Sequence, residues 1–188
     1  MNRVNVVHKP YKSDLEHQWK CGRYDMLTAS RASDFLKDTI IKRVTSRRKP
    51  GRRFFGEAYV AATEDYALGF YGSFKWLTNP WFLEQDTPAR GRYADFEETL
   101  RTQLQGQLRV PGLRRLQRAA EAVRATLGVT PEPPDLWLID HRSRHRFIEV
   151  KLPGDTLSAG QVAGLALLAS RLRVKGKVSV EVVCLYSE

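Results

Sequence analysis

The second half of the chain predicts an α/β fold in which helices cover a sheet. Three observations carry that reading. Short apolar runs at 135–140 ("DLWLID") and 146–152 ("RFIEVKL") flank a polar turn, "HRSRH", as paired strands do. The stretch 156–174 ("TLSAGQVAGLALLASRLRV") has the length and apolar content of a buried helix. A β-rich run at 177–187, "KVSVEVVCLYS", follows it.

The remaining elements are read in chain order. Residues 1–55 are polar and basic, with one helix expected at 30–44 ("SRASDFLKDTIIKRV"), capped by Ser30 or Ser33. That helix runs into "KRVTSRRKPGRR", too charged and too punctuated by Pro50 and Gly51 to pack, and so an exposed loop. "GEAYVAATEDYAL" at 56–68 reads as helix and leads into the aromatic "GFYGSFKWLTNPWF". Rings there can form core or stack on bases, and core is the favoured reading. At 93–108, Phe96, Leu100 and Leu104 recur at helical spacing. A second helix at 112–128 ends at Gly128, a C′ glycine. The expected organisation is a basic, aromatic-rich N-terminal extension (1–92), packed on or continuous with a core at 93–188.

Composition bounds the function. The chain has 188 residues, 42% hydrophobic and 28% charged, which suits a globular protein with a real core. Its formal net charge of +10 favours a polyanionic partner. No apolar run approaches the roughly 20 residues of a membrane span. The start, "MNRVNVVHKPYKSDLEHQWK", lacks a secretory apolar core, so synthesis in the cytoplasm is expected, with signal-less export left open. Two cysteines without a C-x-x-C argue against a cysteine-built zinc site. His141 and His145 fall near the turn and are assigned no metal.

The chemistry concentrates in "PPDLWLIDHRSRHRFIEVKLPGDTLSAGQ", residues 133–161. Alternation puts Phe147, Glu149 and Lys151 on one face of their strand, and Ile148, Val150 and Leu152 on the buried, helix-covered face. An antiparallel pairing through the turn would bring Asp135, just ahead of the first strand, to the Glu149 end of the second. Two converging carboxylates repel unless a cation lies between them, and oxygen ligands select Mg²⁺, with Mn²⁺ able to substitute. A lysine beside them would position an attacking water or offset charge on a phosphate. Taken separately, Glu149 and Lys151 could be an exposed ion pair of little worth, and Asp135 a turn cap.

Taken together, "PD", a gap, and "EVK" on apolar strands resemble the PD-(D/E)xK nuclease superfamily. The closer similarity is to its VRR-NUC branch, through Pro153, Asp155, Leu157, Ser158 and Gln161 in "EVKLPGDTLSAGQ". The resemblance covers residues 133–161, and 162–186 by order of elements. It implies a restriction-endonuclease-like central mixed sheet flanked by helices, with a helical, basic N-terminal extension. It also implies Asp135 and Glu149 as metal ligands, a backbone carbonyl from Val150, Lys151 as the catalytic lysine, and Gln161 at the active site. Ser158 and Gln161 are equally a capping box. The family's upstream acidic ligand is assigned to Glu97, with Glu98 adjacent and Glu57 competing. If Glu57 is that ligand and "FYGSFKWL" a strand, residues 93–127 become an insertion.

The implied activity is Mg²⁺-dependent hydrolysis of DNA phosphodiester bonds, as an interbacterial effector toxin or as a repair or structure-specific nuclease. Arg47, Arg48, Lys49, Arg52 and Arg53, together with Arg114 and Arg115, are expected to follow the phosphate backbone. A toxin would require an acidic immunity protein over that basic face. The alternative is a non-catalytic nucleic-acid-binding protein that keeps the fold.

Overall fold

The protein is described by a computed structural model covering residues 3–46, 52–84, 86–174 and 176–188. The elements begin with β1 (Val4–Tyr11), α1 (Ser13–Lys20), α2 (Asp25–Thr28), α3 (Asp34–Thr45), α4 (Phe55–Thr63) and β2 (Leu68–Tyr71). A 3₁₀ turn at Pro80–Leu83 leads to α5 (Ala94–Leu108) and α6 (Val110–Leu127). The chain then forms β3 (Leu136–Ile139), β4 (His145–Lys151), α7 (Ala159–Arg171) and β5 (Val178–Ser187). The strands make one mixed sheet in the order β1-β5-β4-β3-β2, parallel across β1-β5 and β5-β4 and antiparallel beyond.

Strand β4 is central, and helices cover both of its faces. Ile148 and Val150 pack with Leu36, Ile40, Phe55 and Ala58 of α3 and α4. Phe147 packs on the other side with Leu100, Leu113, Leu165 and Leu168 of α5, α6 and α7. The face assigned to Glu149 in the sequence reading is therefore not open: Glu149 is 2% exposed. The aromatic stretch is core, with Phe70, Tyr71, Trp76 and Phe82 buried. His145 is no turn residue but opens β4, where Trp137 Nε1 donates to its Nδ1 at 3.2 Å.

The first 92 residues supply both edge strands and are thus continuous with the sheet that residues 93–188 build. Two features of the N-terminal half differ from expectation. Strand β1 was missed because its outer positions face solvent: Val4, Val6 and Val7 are exposed, and no clean alternation marks it. Ser33 does sit at the N-cap of α3, yet makes no side-chain cap bond and reaches the Gly69 carbonyl instead. Of the "FYGSFKWL" stretch only Phe70 and Tyr71 are strand, the end of β2, and the rest is turn. Helices α5 and α6 are thus inserted between β2 and β3. Among the described residues no helix is long and apolar enough to cross a membrane.

An ion network ties the far end of the sheet together. Arg146 on β4 donates to Glu181 on β5 (2.7 and 3.1 Å) and to Glu64 (2.6 Å), which also accepts from Lys9 on β1 at 2.6 Å. Burial pushes the Glu64 carboxyl up, but hydrogen bonds from Arg146 and Lys9 outweigh it and hold it below the ordinary range. A carboxyl lowered on folding adds stability above its unfolded pKa and loses it as pH falls through the native value. Urea unfolding between pH 6 and 3, around an unfolded pKa of about 4.3, is expected to show that acid-side loss. Glu64→Gln should flatten the profile and cost about 2 kcal/mol at pH 7, since the pair is only partly buried.

Candidate active site

The PD segment is fixed before any chemistry is considered. Pro133 and Pro134 hold the chain extended into Asp135. Gly72, just past β2, donates its N–H to the Asp135 carbonyl at 2.7 Å. A side chain at Gly72 would stand 2.4 Å from the Pro134 carbonyl oxygen, so only glycine allows this approach. Pairing of β3 with β4 matches Leu136 to Ile148, and one further step places Asp135 opposite Glu149. Opposed residues of an antiparallel pair share a face. Asp135 Oδ2 accepts the Val150 N–H at 2.9 Å, which seats the carboxylate at the end of the sheet.

Around this point lies a cleft of about 680 Å³, lined by Glu57, Asp135, Glu149, Lys151 and Gln161, with Val150 between them. Glu57 enters from the first turn of α4, and Gln161 from the first turn of α7. Burial pushes the Glu149 carboxyl well up and the Asp135 charge adds to this, against the pull of Lys151. Glu57 is raised in the same way, by burial and then by Asp135. Asp135 is raised by burial, opposed first by its bond from Val150. Three carboxyls thus share one low-dielectric site with too little positive charge.

Lys151 answers part of that deficit. Its Nζ lies 3.1 Å from Glu149 Oε1 and donates to Gln161 Oε1 at 2.8 Å. Glu149 Oε1 is buried, and among the described residues the Lys151 amine is the one cation at ion-pair distance from it. Gln161 Oε1 also accepts the Ser158 N–H at 2.9 Å, while Ser158 Oγ accepts the Gln161 N–H at 3.1 Å. One atom, Gln161 Oε1, therefore closes the capping box of α7 and holds the lysine amine.

The other sequence-assigned residues divide. Glu97 does not line the cleft; it sits on the inserted α5, where the Arg43 charge opposes the effect of its burial. Glu98 pairs with Arg101, whose guanidinium also holds the Glu84 and Thr87 carbonyls. Glu57 lines the cleft from α4, the helix that leads directly into β2. Arg52 and Arg53 border the cleft. Arg52 is already engaged, with Nη2 on the Pro153 carbonyl at 2.9 Å and 3.9 Å from Asp155. Arg114 and Arg115 are exposed on α6 and line other surface hollows, because the insertion carries them away from the acidic end. Arg47, Arg48 and Lys49 lie outside the described residues.

The donor set fits a hard divalent ion. Among the described residues no three His, Cys, Asp or Glu side chains form a ready-made metal cage. Mg²⁺ seldom uses one: it takes one or two carboxylates and completes its shell with water and substrate phosphate. A buried carboxylate with one lysine as its ion-pair partner, beside further acidic groups, supplies the ligand chemistry such an ion needs. No family model matches the chain, and no match was found among curated proteins or among solved structures.

Proposed function

We propose that the chain is a divalent-metal-dependent DNA endonuclease of the PD-(D/E)xK type, similar to its VRR-NUC branch. The observation that carries this reading is the crowding of Asp135, Glu149 and Glu57 into one cleft, with Lys151 as the ion-pair partner of the buried Glu149. The order of elements supports it as well: an acid-bearing helix, three antiparallel strands, a helix and a final parallel strand, with α5 and α6 as an excursion.

Asp135 and Glu149 would hold the ion, with the Val150 carbonyl and Glu57 close enough in the cleft to contribute. Bound Mg²⁺ supplies Lewis-acid polarisation of a phosphoryl oxygen and makes water a competent nucleophile at neutral pH. The Lys151 amine would offset the negative charge that grows on the phosphate as water adds and the P–O ester bond breaks. Gln161 and Glu149 hold that amine from two sides. Arg52 and Arg53 at the rim, with the +10 overall charge, favour approach of a polyanionic backbone.

Supercoiled plasmid is expected to be nicked and linearised with Mg²⁺ and left intact with EDTA. Lys151→Ala should slow cutting by about 10²- to 10³-fold, the usual cost of removing one charge-stabilising donor. Equal cutting in EDTA, or full activity in Lys151→Ala, would remove the reading.

A further inference from the structure

Beside the acidic cleft is a second hollow of about 350 Å³, lined by Arg43, Ser46, Phe54, Arg92 and Tyr93. Arg43 and Phe54 line both spaces and form the wall between them. The Arg43 guanidinium lies 4.9 Å from the ring centres of Phe74 and Tyr93, and 5.0 Å from that of Tyr71. Aromatic packing of this kind fixes the guanidinium plane without neutralising it.

Among the described residues Arg43 makes no ion pair, and its Nε is buried without an acceptor. Glu97 is near enough for Arg43 to oppose the effect of its burial, yet it does not line the hollow. On the other side Arg92 stands 5.0 Å from the Tyr93 ring centre, and the Tyr93 hydroxyl is 3.1 Å from Ser46 Oγ. Two guanidinium groups and two hydroxyls therefore meet with no carboxylate among them. This is the donor inventory of a phosphate site.

We propose that this hollow holds a non-scissile phosphate of the DNA strand whose neighbouring phosphodiester lies in the acidic cleft, with Arg43 spanning the two, a placement that rests on the nuclease reading. Such a site fixes the strand's register against Glu149 and Asp135.

The test is binding of short labelled oligonucleotides in EDTA, followed by anisotropy across a NaCl series. Arg92 is exposed, so Arg92→Ala leaves the fold intact, and Tyr93→Phe removes one hydroxyl alone. Arg92→Ala is expected to weaken binding roughly tenfold. It should also lower the slope of log Kd against log salt by about 0.9 on duplex DNA. A scan replacing one phosphate at a time by a methylphosphonate should find one position with a matching penalty in the wild type, silent in Arg92→Ala. An unchanged slope, or the same scan in both proteins, overturns the site. Displacement of the oligonucleotide by inorganic phosphate alone would assign the hollow to a free anion and overturn it too. Plasmid nicking with Mg²⁺ is scored separately. Nicking by the wild type with an unchanged slope in Arg92→Ala removes the phosphate site and leaves the nuclease.

Discussion

Glu149→Gln is expected to abolish Mg²⁺-dependent DNA cleavage, by at least about 10³-fold, while raising the melting temperature of the metal-free protein. The two effects share one cause. Glu149 is 2% exposed with one ion-pair partner, Lys151, while Asp135 and Glu57 share its cleft. Without an ion that carboxylate is a liability, since a buried charge short of partners costs several kcal/mol. Glutamine keeps the shape and the carbonyl oxygen and removes the repulsion. A gain of about 1 kcal/mol would lift the midpoint by roughly 2–4 °C in a chain of this size. Mg²⁺ at a hundredfold excess over its dissociation constant adds about 2.7 kcal/mol to any protein that binds it only when folded. The wild type should therefore melt some 5–10 °C higher with Mg²⁺ than with EDTA, and Glu149→Gln should show little of that shift. Equal Mg²⁺ shifts in both proteins would place the ion elsewhere or nowhere. Cutting unchanged by the substitution would end the assignment.

The site was legible in the sequence where the chemistry is local, and illegible where it depends on long-range order. Residues 133–161 encode their own geometry. Two prolines, a strand, a tight turn and a second strand can pair in only a few registers, so Asp135 meeting Glu149 follows from spacing. "SAGQ" announces a capping box that also settles where Gln161 points. Glu57 is different. Nothing in "FFGEAYVA" says which strand follows or where α4 lies, and α5 offers Glu97 on an equally plausible helix. The choice turns on β2, a strand of four residues whose pairing with β3 closes across 64 residues of intervening chain between Tyr71 and Leu136. Short strands with glycine at their centre carry little periodic signal. Arg43 was visible only as one cation in a basic run; its four rings come from α4's cap, β2, the loop after it and the start of the insertion. The edge strand β1 escaped for the opposite reason. Its exposed valines erase the alternation that burial on one face would have left.

Gly164→Ala is expected to be the most damaging single methyl that can be added to this fold. Gly164 lies on the buried side of α7, and a Cβ built there would come within 1.7 Å of the Glu132 carbonyl oxygen and 2.8 Å of its carbon. Neither atom belongs to a side chain that can swing aside. Glu132 is also tied to the helix by its N–H, which donates to the Gly160 carbonyl at 2.9 Å. Helix α7 therefore rests directly on the strand-like segment that leads through Pro133 and Pro134 to Asp135. To admit the methyl, the helix or that segment must move by more than an ångström. Overpacking of a close backbone contact costs about 3 kcal/mol. The midpoint of thermal unfolding should fall by roughly 6–12 °C. Activity of the molecules still folded should fall as well, because the shift separates Gln161, on α7, from Lys151 and Asp135, which the paired β3 and β4 hold together. Gly106→Ala is the control. It is the same substitution in the last turn of α5, where a Cβ meets nothing within 4 Å. There only helix propensity operates, and a gain of about 0.5–1 kcal/mol is expected, with cleavage unchanged. If both substitutions shift stability in the same direction and by similar amounts, α7 does not pack on residues 130–132 as described. The placement of Asp135 at the cleft would then lose its mechanical support.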